Sequence, residues 1–436
     1  MSLCKDCNQE NTTWYWCKLC YSTHFKDNFD KWTSGNETID KFIRDAQLNT
    51  EEMGKSLEWI PFDRFRNIKE IAKGGFSTVH CATWIDGRIK WWNFEEKQWE
   101  RYGQHKVVLK MFDANLNEEF LNEMAIHLRT NSTSICSIRF YGITKDPETG
   151  KYMMVLEYMP GGNFRDHLKN NFNNFNWESK LYSIWELAFC FKNFHDLNIV
   201  HQDFHPGNIL LFENGKNLCI SDFGLSKIVQ QNSKNPEKRV IFGVLPYIAP
   251  EVLCEEEYTK AADVYSFAMI IYEIITGFAP YYNIPHDKDL TRQICDGLRP
   301  KIPIHTPKLI TKIIMRCWNA QVTQRPTFEK LNQELYKYHK DYKENDFKNN
   351  NEITIQIENA VKFSRSPSPN TTTLTPINYK THPEAIFISR LLNCPSLKND
   401  ENDENDENFE KELKELSKPI SVLSIVASEL DVPIIR

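Results

Sequence analysis

His201-Gln202-Asp203-Phe204-His205-Pro206-Gly207-Asn208 is the stretch on which the fold is decided. An aspartate followed five residues later by an asparagine can hold a hydroxyl and a metal ion in one loop. Asp203 can orient an attacking hydroxyl and accept its proton, while Asn208 binds Mg²⁺. Asp222-Phe223-Gly224 begins nineteen residues after Asp203, behind the strand-like Leu218-Cys219-Ile220. A carboxylate at a strand end is well placed to bind Mg²⁺ bridging two phosphates. Ala249-Pro250-Glu251 closes the segment that follows.

Upstream, Lys110 ends the apolar strand Val107-Val108-Leu109-Lys110. Its ammonium can reach phosphate oxygens as a point charge. Thirteen residues later, Glu123 lies in a helical stretch and is expected to pair with Lys110 and keep it aimed. These motifs, in this order and spacing, carry far more weight together than any one alone.

Residues 65–335 resemble a eukaryotic protein kinase domain. Cys317-Trp318 followed by Arg325-Pro326-Thr327 resembles the end of the tyrosine-kinase-like group. With its N-terminal cysteine pairs, the chain is similar to an expanded set of fungal kinases. The resemblance implies an α+β bilobal fold, ATP with Mg²⁺ or Mn²⁺, and phosphoryl transfer to a protein hydroxyl, serine or threonine before tyrosine. It places ATP against Ile71, Ala72, Gly74, Gly75, Val79 and Lys110, with Leu156 as gatekeeper and Glu157-Tyr158-Met159 as hinge. Catalysis falls to Asp203, Lys110, Glu123, Asn208 and Asp222. Asp263 is expected to support the catalytic loop, and Arg325 to pair with Glu251.

Five positions depart from the family pattern. Ala72 and Ser77 replace the outer glycines of the phosphate-covering loop, which predicts looser ATP positioning. Gln202 stands where the family has an arginine that meets an activation-loop phosphate, so activity independent of that phosphate is expected. His205 and Val244 replace a lysine and a threonine, leaving acceptor choice open; His205 is read as a space filler ahead of a proton shuttle.

The domain order expected is a four-cysteine module at 1–25, a helical linker at 26–64, a kinase domain at 65–337 and a tail at 338–436. The kinase domain divides into a β-rich lobe, 65–158, and a helical lobe, 159–337. Cys4-x-x-Cys7 and Cys17-x-x-Cys20 match metal knuckles, and four thiolates can enclose Zn²⁺. A module this small depends on its metal to fold. Trp14, Tyr15 and Trp16 are expected to pack over the site and, if exposed, to offer a surface for protein or RNA. Trp91, Trp92 and Trp99 lie in an insertion, 84–106, read as a hairpin with its own apolar cluster.

The tail carries an acidic repeat from Asn399 to Glu407 and is expected to be mostly disordered. Ser364, Ser366 and Ser368 resemble phosphorylation targets in it, and Ile420 to Ile435 a docking segment. The 436 residues are 41% hydrophobic and 26% charged, as in soluble globular chains. A net charge of −6 gives no push toward nucleic acid or anionic membrane. The apolar run Val264 to Tyr282 is interrupted by Glu273, Gly277 and Pro280 and reads as a core helix. With no secretory signal apparent, the 12 cysteines are expected to be thiols or metal ligands, and the location cytoplasmic or nuclear. Two other readings stay open: a pseudokinase scaffold, suggested by the altered glycine loop, and a zinc-dependent interaction protein with a vestigial kinase.

Overall fold

The computed structural model describes residues 3–13, 16–73, 77–112, 118–133, 136–213, 215, 217–229, 241–365 and 379–392. They fall into two compact units. The first takes Met1–Gly162, Asp196–His201 and Ile209–Ile228; the second takes Asn163–His195, Gln202–Asn208 and Val229–Arg436. Gly74 and Gly75, Trp14 and Tyr15, Ser366 and Ser368, the acidic repeat and the stretch from Ile420 to Ile435 lie outside the described residues.

The first unit is built on a sheet. Its strands are β1 (Glu58–Trp59), β2 (Phe65–Lys73), β3 (Ser77–Trp84), β4 (Ile89–Asn93), β5 (Gln98–Arg101), β6 (His105–Phe112), β7 (Phe140–Lys145) and β8 (Tyr152–Glu157). The sheet order is β1-β7-β8-β6-β3-β2, while β4 and β5 form a hairpin apart from it. Short pairs follow: β9 (Ile199–Val200) with β12 (Lys227–Ile228), and β10 (Ile209–Leu211) with β11 (Leu218–Ile220). The side chains of β6 alternate between two apolar clusters, as a strand period of two requires. Val107 and Leu109 join Trp84 and Tyr141 on one face. Phe112 joins Met154 and Phe140 on the other.

Among the described residues this unit also carries α1 (Lys18–Lys26), α2 (Glu37–Leu48) and α3 (Glu118–Thr133). The Asn36 side chain caps α2 by accepting the amide of Ile39. Ile39, Ile43 and Ala46 recur at helical spacing. They join Phe120 and Met124 of α3 in one buried cluster. The expected linker, 26–64, is therefore part of the core that backs α3. The hairpin does not keep a cluster of its own. Trp92 and Trp99, directly opposite across β4 and β5, pack with Trp16, Tyr21 and Phe25 from the cysteine segment. Trp99 stacks on Phe25 at 4.4 Å and on Trp16 at 6.4 Å.

The second unit is helical: α4 (Phe164–Asn171), α5 (Trp177–Asp196), α6 (Pro250–Leu253), α7 (Lys260–Thr276), α8 (Lys288–Cys295), α9 (Lys308–Cys317), α10 (Phe328–Lys343) and α11 (Glu352–Arg365). Two further strands, β13 (Ile241–Gly243) and β14 (Arg390–Leu392), pair antiparallel. The apolar run from Val264 is a core helix, as expected. In α7, Phe267, Ile270, Ile271 and Ile274 are fully buried, and among the described residues no helix is long and apolar enough to cross a membrane. Thr259 caps its start, and Gly277 ends it at φ 73°, the left-handed position that favours glycine.

The tail from 338 onward, expected to be mostly disordered, is folded in part. Ile353, Ile357 and Ala360 are buried at helical spacing in α11, and Gln356 accepts the amide of Leu309. The polar average of the tail conceals this local apolar stripe.

Arg325 ties the unit together. Its guanidinium is fully buried and grips Glu251 with two bonds of 2.6 and 2.8 Å, while also donating to Ala261 O and Asn319 O. Replacing one partner strands a buried charge. Arg325→Ala is therefore expected to cost about 3–5 kcal/mol in denaturant unfolding. A loss below about 1 kcal/mol, the range of exposed ion pairs, would contradict this.

Candidate active site and cysteine centre

Lys110 sits on β6 directly opposite Val79 of β3, and Ala72 of β2 lies opposite Val79 in turn. Three predicted ATP-contact residues thus share one register across the sheet. Ile71 and Ala72 are exposed, and Leu156 is buried in the core behind them. The hinge leaves β8, where the Glu157 amide donates to Arg139 O at 2.9 Å. Met159 is buried against the same cluster as Leu156.

The Lys110 ammonium bridges two carboxylates. It lies 2.6 Å from Glu123 Oε1 and 2.8 Å from Asp222 Oδ1. Glu123 is delivered by α3 with its side chain wholly buried, and its Oε2 has no hydrogen-bond partner among the described residues. His127, one turn further along α3, places its ring edge-on to Phe223 at 4.9 Å. Asp222 is held at φ 60°, a left-handed backbone that costs energy for a non-glycine residue and aims its carboxylate. Gly224, two residues on, leaves room for both carboxylates: a Cβ there would lie 3.3 Å from Glu123 Oε2 and 3.4 Å from Asp222 Oδ1, a tight fit.

Burial opposes the charge on Lys110, yet Asp222 and then Glu123 outweigh it and hold its pKa above that of an ordinary lysine. The Lys110 ammonium in turn brings the Asp222 carboxyl down to about 2.

The second unit holds Asp203 and Asn208. Asn208 Nδ2 donates to Asp203 O at 3.0 Å and to Asp203 Oδ2 at 3.1 Å. Its amide nitrogen thus faces the aspartate, and its carbonyl oxygen is the atom able to ligate a cation. Phe204 anchors the loop, its ring 3.7 Å from that of Phe191. Asp263 supports it as expected, accepting the Gln202 amide at 3.4 Å, the Tyr258 hydroxyl at 2.9 Å and His195 at 3.0 Å. Gln202 itself has φ 66°.

His205 does more than fill space. Its Nδ1 accepts the Gly207 amide at 3.0 Å, so its ring proton sits on Nε2. That Nε2 lies 3.5 Å from Asp203 Oδ1 and 3.3 Å from Ser389 Oγ. Ser389 was not singled out by the sequence motifs. Its one local signal is an apolar, β-prone run, Ile386-Phe387-Ile388-Ser389-Arg390-Leu391-Leu392, inside a polar tail.

A protein tyrosine and serine/threonine kinase profile matches residues 65–335. The chain belongs to that family. It is 31% identical over 302 residues to a candidate serine/threonine-protein kinase/receptor of Acanthamoeba polyphaga mimivirus, covering 68% of this chain and 17% of that one. It is 30% identical over 320 residues to the probable serine/threonine-protein kinase roco5 of Dictyostelium discoideum, covering 69% and 11%. It is 28% identical over 240 residues to the serine/threonine-protein kinase STY46 of Arabidopsis thaliana, covering 54% and 40%. The chain thus spans less than half the length of each of these kinases.

The cysteine centre lies in the first unit, apart from Lys110 in sequence and chemistry. The sulfurs of Cys4, Cys7, Cys17 and Cys20 all lie within 4.8 Å of one another, a set able to hold a metal ion. Cys4 and Cys20 stand 3.7 Å apart, as do Cys7 and Cys17. One aromatic expectation is corrected. Trp16 is fully buried, and its indole N–H donates to Thr50 O at 3.1 Å. The tryptophans of the hairpin already cover it, so Trp16 offers no surface to an outside partner.

The pH dependence of the Lys110 cluster follows from its charges. A carboxyl with a depressed pKa stabilises the fold fully above its unfolded value, about 4, and less as pH falls toward the folded value. Asp222→Asn should therefore lower unfolding free energy most at about pH 5 and progressively less toward about pH 3. Urea unfolding of both proteins across that range tests this, and a difference independent of pH would refute it.

Proposed function

We propose that this chain is an ATP-dependent protein kinase transferring the γ-phosphoryl group to a protein serine or threonine hydroxyl. The observation that carries the reading is the Lys110 ammonium held between Glu123 and Asp222 in a member of the kinase family. A pseudokinase has no need to keep this buried ion cluster along with Asp203 and Asn208. The serine/threonine preference is supported by the names of the relatives. The finer placement in the tyrosine-kinase-like group, and in a fungal set with paired cysteines, rests on Cys317-Trp318, Arg325-Pro326-Thr327 and the two C-x-x-C pairs.

Each of the two residues suits Mg²⁺ by its own chemistry: Asp222 in the first unit offers a half-exposed carboxylate and Asn208 in the second an amide oxygen, both hard ligands of the kind this ion takes. When bound, Mg²⁺ supplies charge neutralisation on the phosphates. Lys110 binds and orients phosphate oxygens, and Glu123 keeps the ammonium aimed. Asp203 orients the acceptor hydroxyl and takes its proton. Catalysis of this kind is mainly positioning and electrostatics.

Gln202 supports a second element of the proposal: activity needs no phosphate on the activation segment. Phosphatase-treated protein should retain its transfer rate, and abolished activity would overturn this.

For the cysteine centre we propose structural Zn²⁺. Tetrahedral ligation with Zn–S of about 2.3 Å requires sulfurs about 3.8 Å apart, and two pairs stand at 3.7 Å. Four thiolates leave no open position for catalysis. Metal analysis should find one zinc per chain, and Cys17→Ser should lose the metal and lower the melting temperature. Protein without stoichiometric zinc would remove the assignment.

Asp203→Ala tests the kinase reading. It should reduce transfer to a mixed Ser/Thr/Tyr peptide library by at least about 10³-fold while leaving the melting temperature within a few degrees. Undiminished transfer would sink the assignment. A parent chain that is stabilised by Mg-ATP but inactive on every acceptor would favour the pseudokinase reading.

A further inference from the structure

The segment from Tyr379 to Leu392 lies in the second unit as an extended strap. Tyr379 packs against Phe278 and Tyr282 at 5.0 and 4.6 Å. The His382 amide donates to Tyr282 O at 2.8 Å, and the His286 amide donates to Glu384 O at 3.0 Å. Arg165 donates to Phe387 O at 2.9 Å, and the Phe387 ring meets His286 edge-on at 4.8 Å. Beyond Ser389, strand β14 pairs with β13, with Gly243 opposite Arg390 and Ile241 opposite Leu392. The strap is thus held through its main chain on both sides of one serine. Peptides recognised by strand addition are held in this manner.

That serine meets the catalytic loop. The Ser389 hydroxyl donates to Asp203 Oδ2, and His205 Nε2 lies 3.3 Å from its oxygen. Since the proton of His205 is on Nε2, the imidazole donates to Ser389 Oγ and fixes the hydroxyl's rotation. The hydroxyl proton points at the carboxylate, and one oxygen lone pair remains for attack. A strap serving only to brace the fold has no need of a hydroxyl on Asp203. Ile388 and Leu391, on either side of Ser389, are 72% and 49% exposed, so apolar burial at Ser389 itself is not what brings the serine to Asp203.

We propose that Ser389 is a phosphoacceptor of this kinase in an intramolecular reaction. The inference rests on the kinase reading above. Ser389 Oγ forms a bond to the γ-phosphorus of ATP while the bond from that phosphorus to its bridging oxygen breaks. The electron pair of the broken bond leaves with ADP, and the hydroxyl proton passes to Asp203. The product carries about −1.5 to −2 charge beside the Asp203 carboxylate. Like charges at that range repel, so the reaction weakens the strap's own hold and clears the position an outside acceptor needs.

The test uses the full chain, first treated with phosphatase, then given Mg-ATP alone or with the mixed peptide library. Mapping should find phosphate on Ser389. The fractional rate should be unchanged over about a hundredfold dilution, since tethering sets the acceptor's effective concentration. Ser389→Thr, which keeps a hydroxyl, should be labelled at that position, and Ser389→Ala should not. A chain that phosphorylates library peptides but leaves Ser389 bare overturns this inference and leaves the kinase reading standing. A Ser389 rate that falls in proportion to protein concentration overturns the intramolecular assignment. A chain that phosphorylates nothing overturns the kinase reading and this inference with it.

Discussion

A buried ammonium is costly unless its charge is answered, and Lys110 is answered twice, by Glu123 and Asp222. Much of the first unit serves that arrangement. The sheet register sets Lys110 opposite Val79, α3 brings Glu123, and the left-handed turn at Asp222 brings the second carboxylate. One cation between two carboxylates leaves net negative charge, with Glu123 Oε2 unpartnered among the described residues. Such a balance favours a divalent cation nearby and makes the cluster a poor place for a neutral substitute.

The N-terminal segment contributes to the same arrangement through packing. The helix carrying Glu123 shares its apolar cluster with Ile39, Ile43 and Ala46. The cysteine segment is joined to the sheet region by Trp92 and Trp99 of the hairpin. Residues ahead of the kinase match, which begins at residue 65, therefore stand behind α3 as part of one core. A centre that holds four sulfurs together also holds α1 in place, because Cys17 immediately precedes that helix and Cys20 lies in its first turn.

Much of the candidate site was legible because its chemistry demands fixed residue types at fixed spacing. Lys110, Glu123, Asp203, Asn208 and Asp222 could be singled out from order and spacing, while the Glu251–Arg325 pair and the support from Asp263 came only through the family resemblance. The tail was read less well. Composition averages over tens of residues, so the stripe Ile353, Ile357, Ala360 disappeared into a polar background. His205 was read as filler because one sequence position does not reveal which of its ring nitrogens meets a neighbour.

What the sequence by itself determined is the set of candidate residues and the metal-knuckle pattern, which rest on local spacing, and, through the family resemblance those motifs carry, the kinase fold. What only the tertiary structure decided is which distant segments meet. The hairpin tryptophans cover Trp16 across some eighty residues, and Ser389 reaches Asp203 across 186. Contacts of that range follow from how strands pair and side chains pack, and no short-range pattern encodes them. Local spacing singles out Asp203 in the His201–Asn208 loop; the fold sets a serine of the same chain against it.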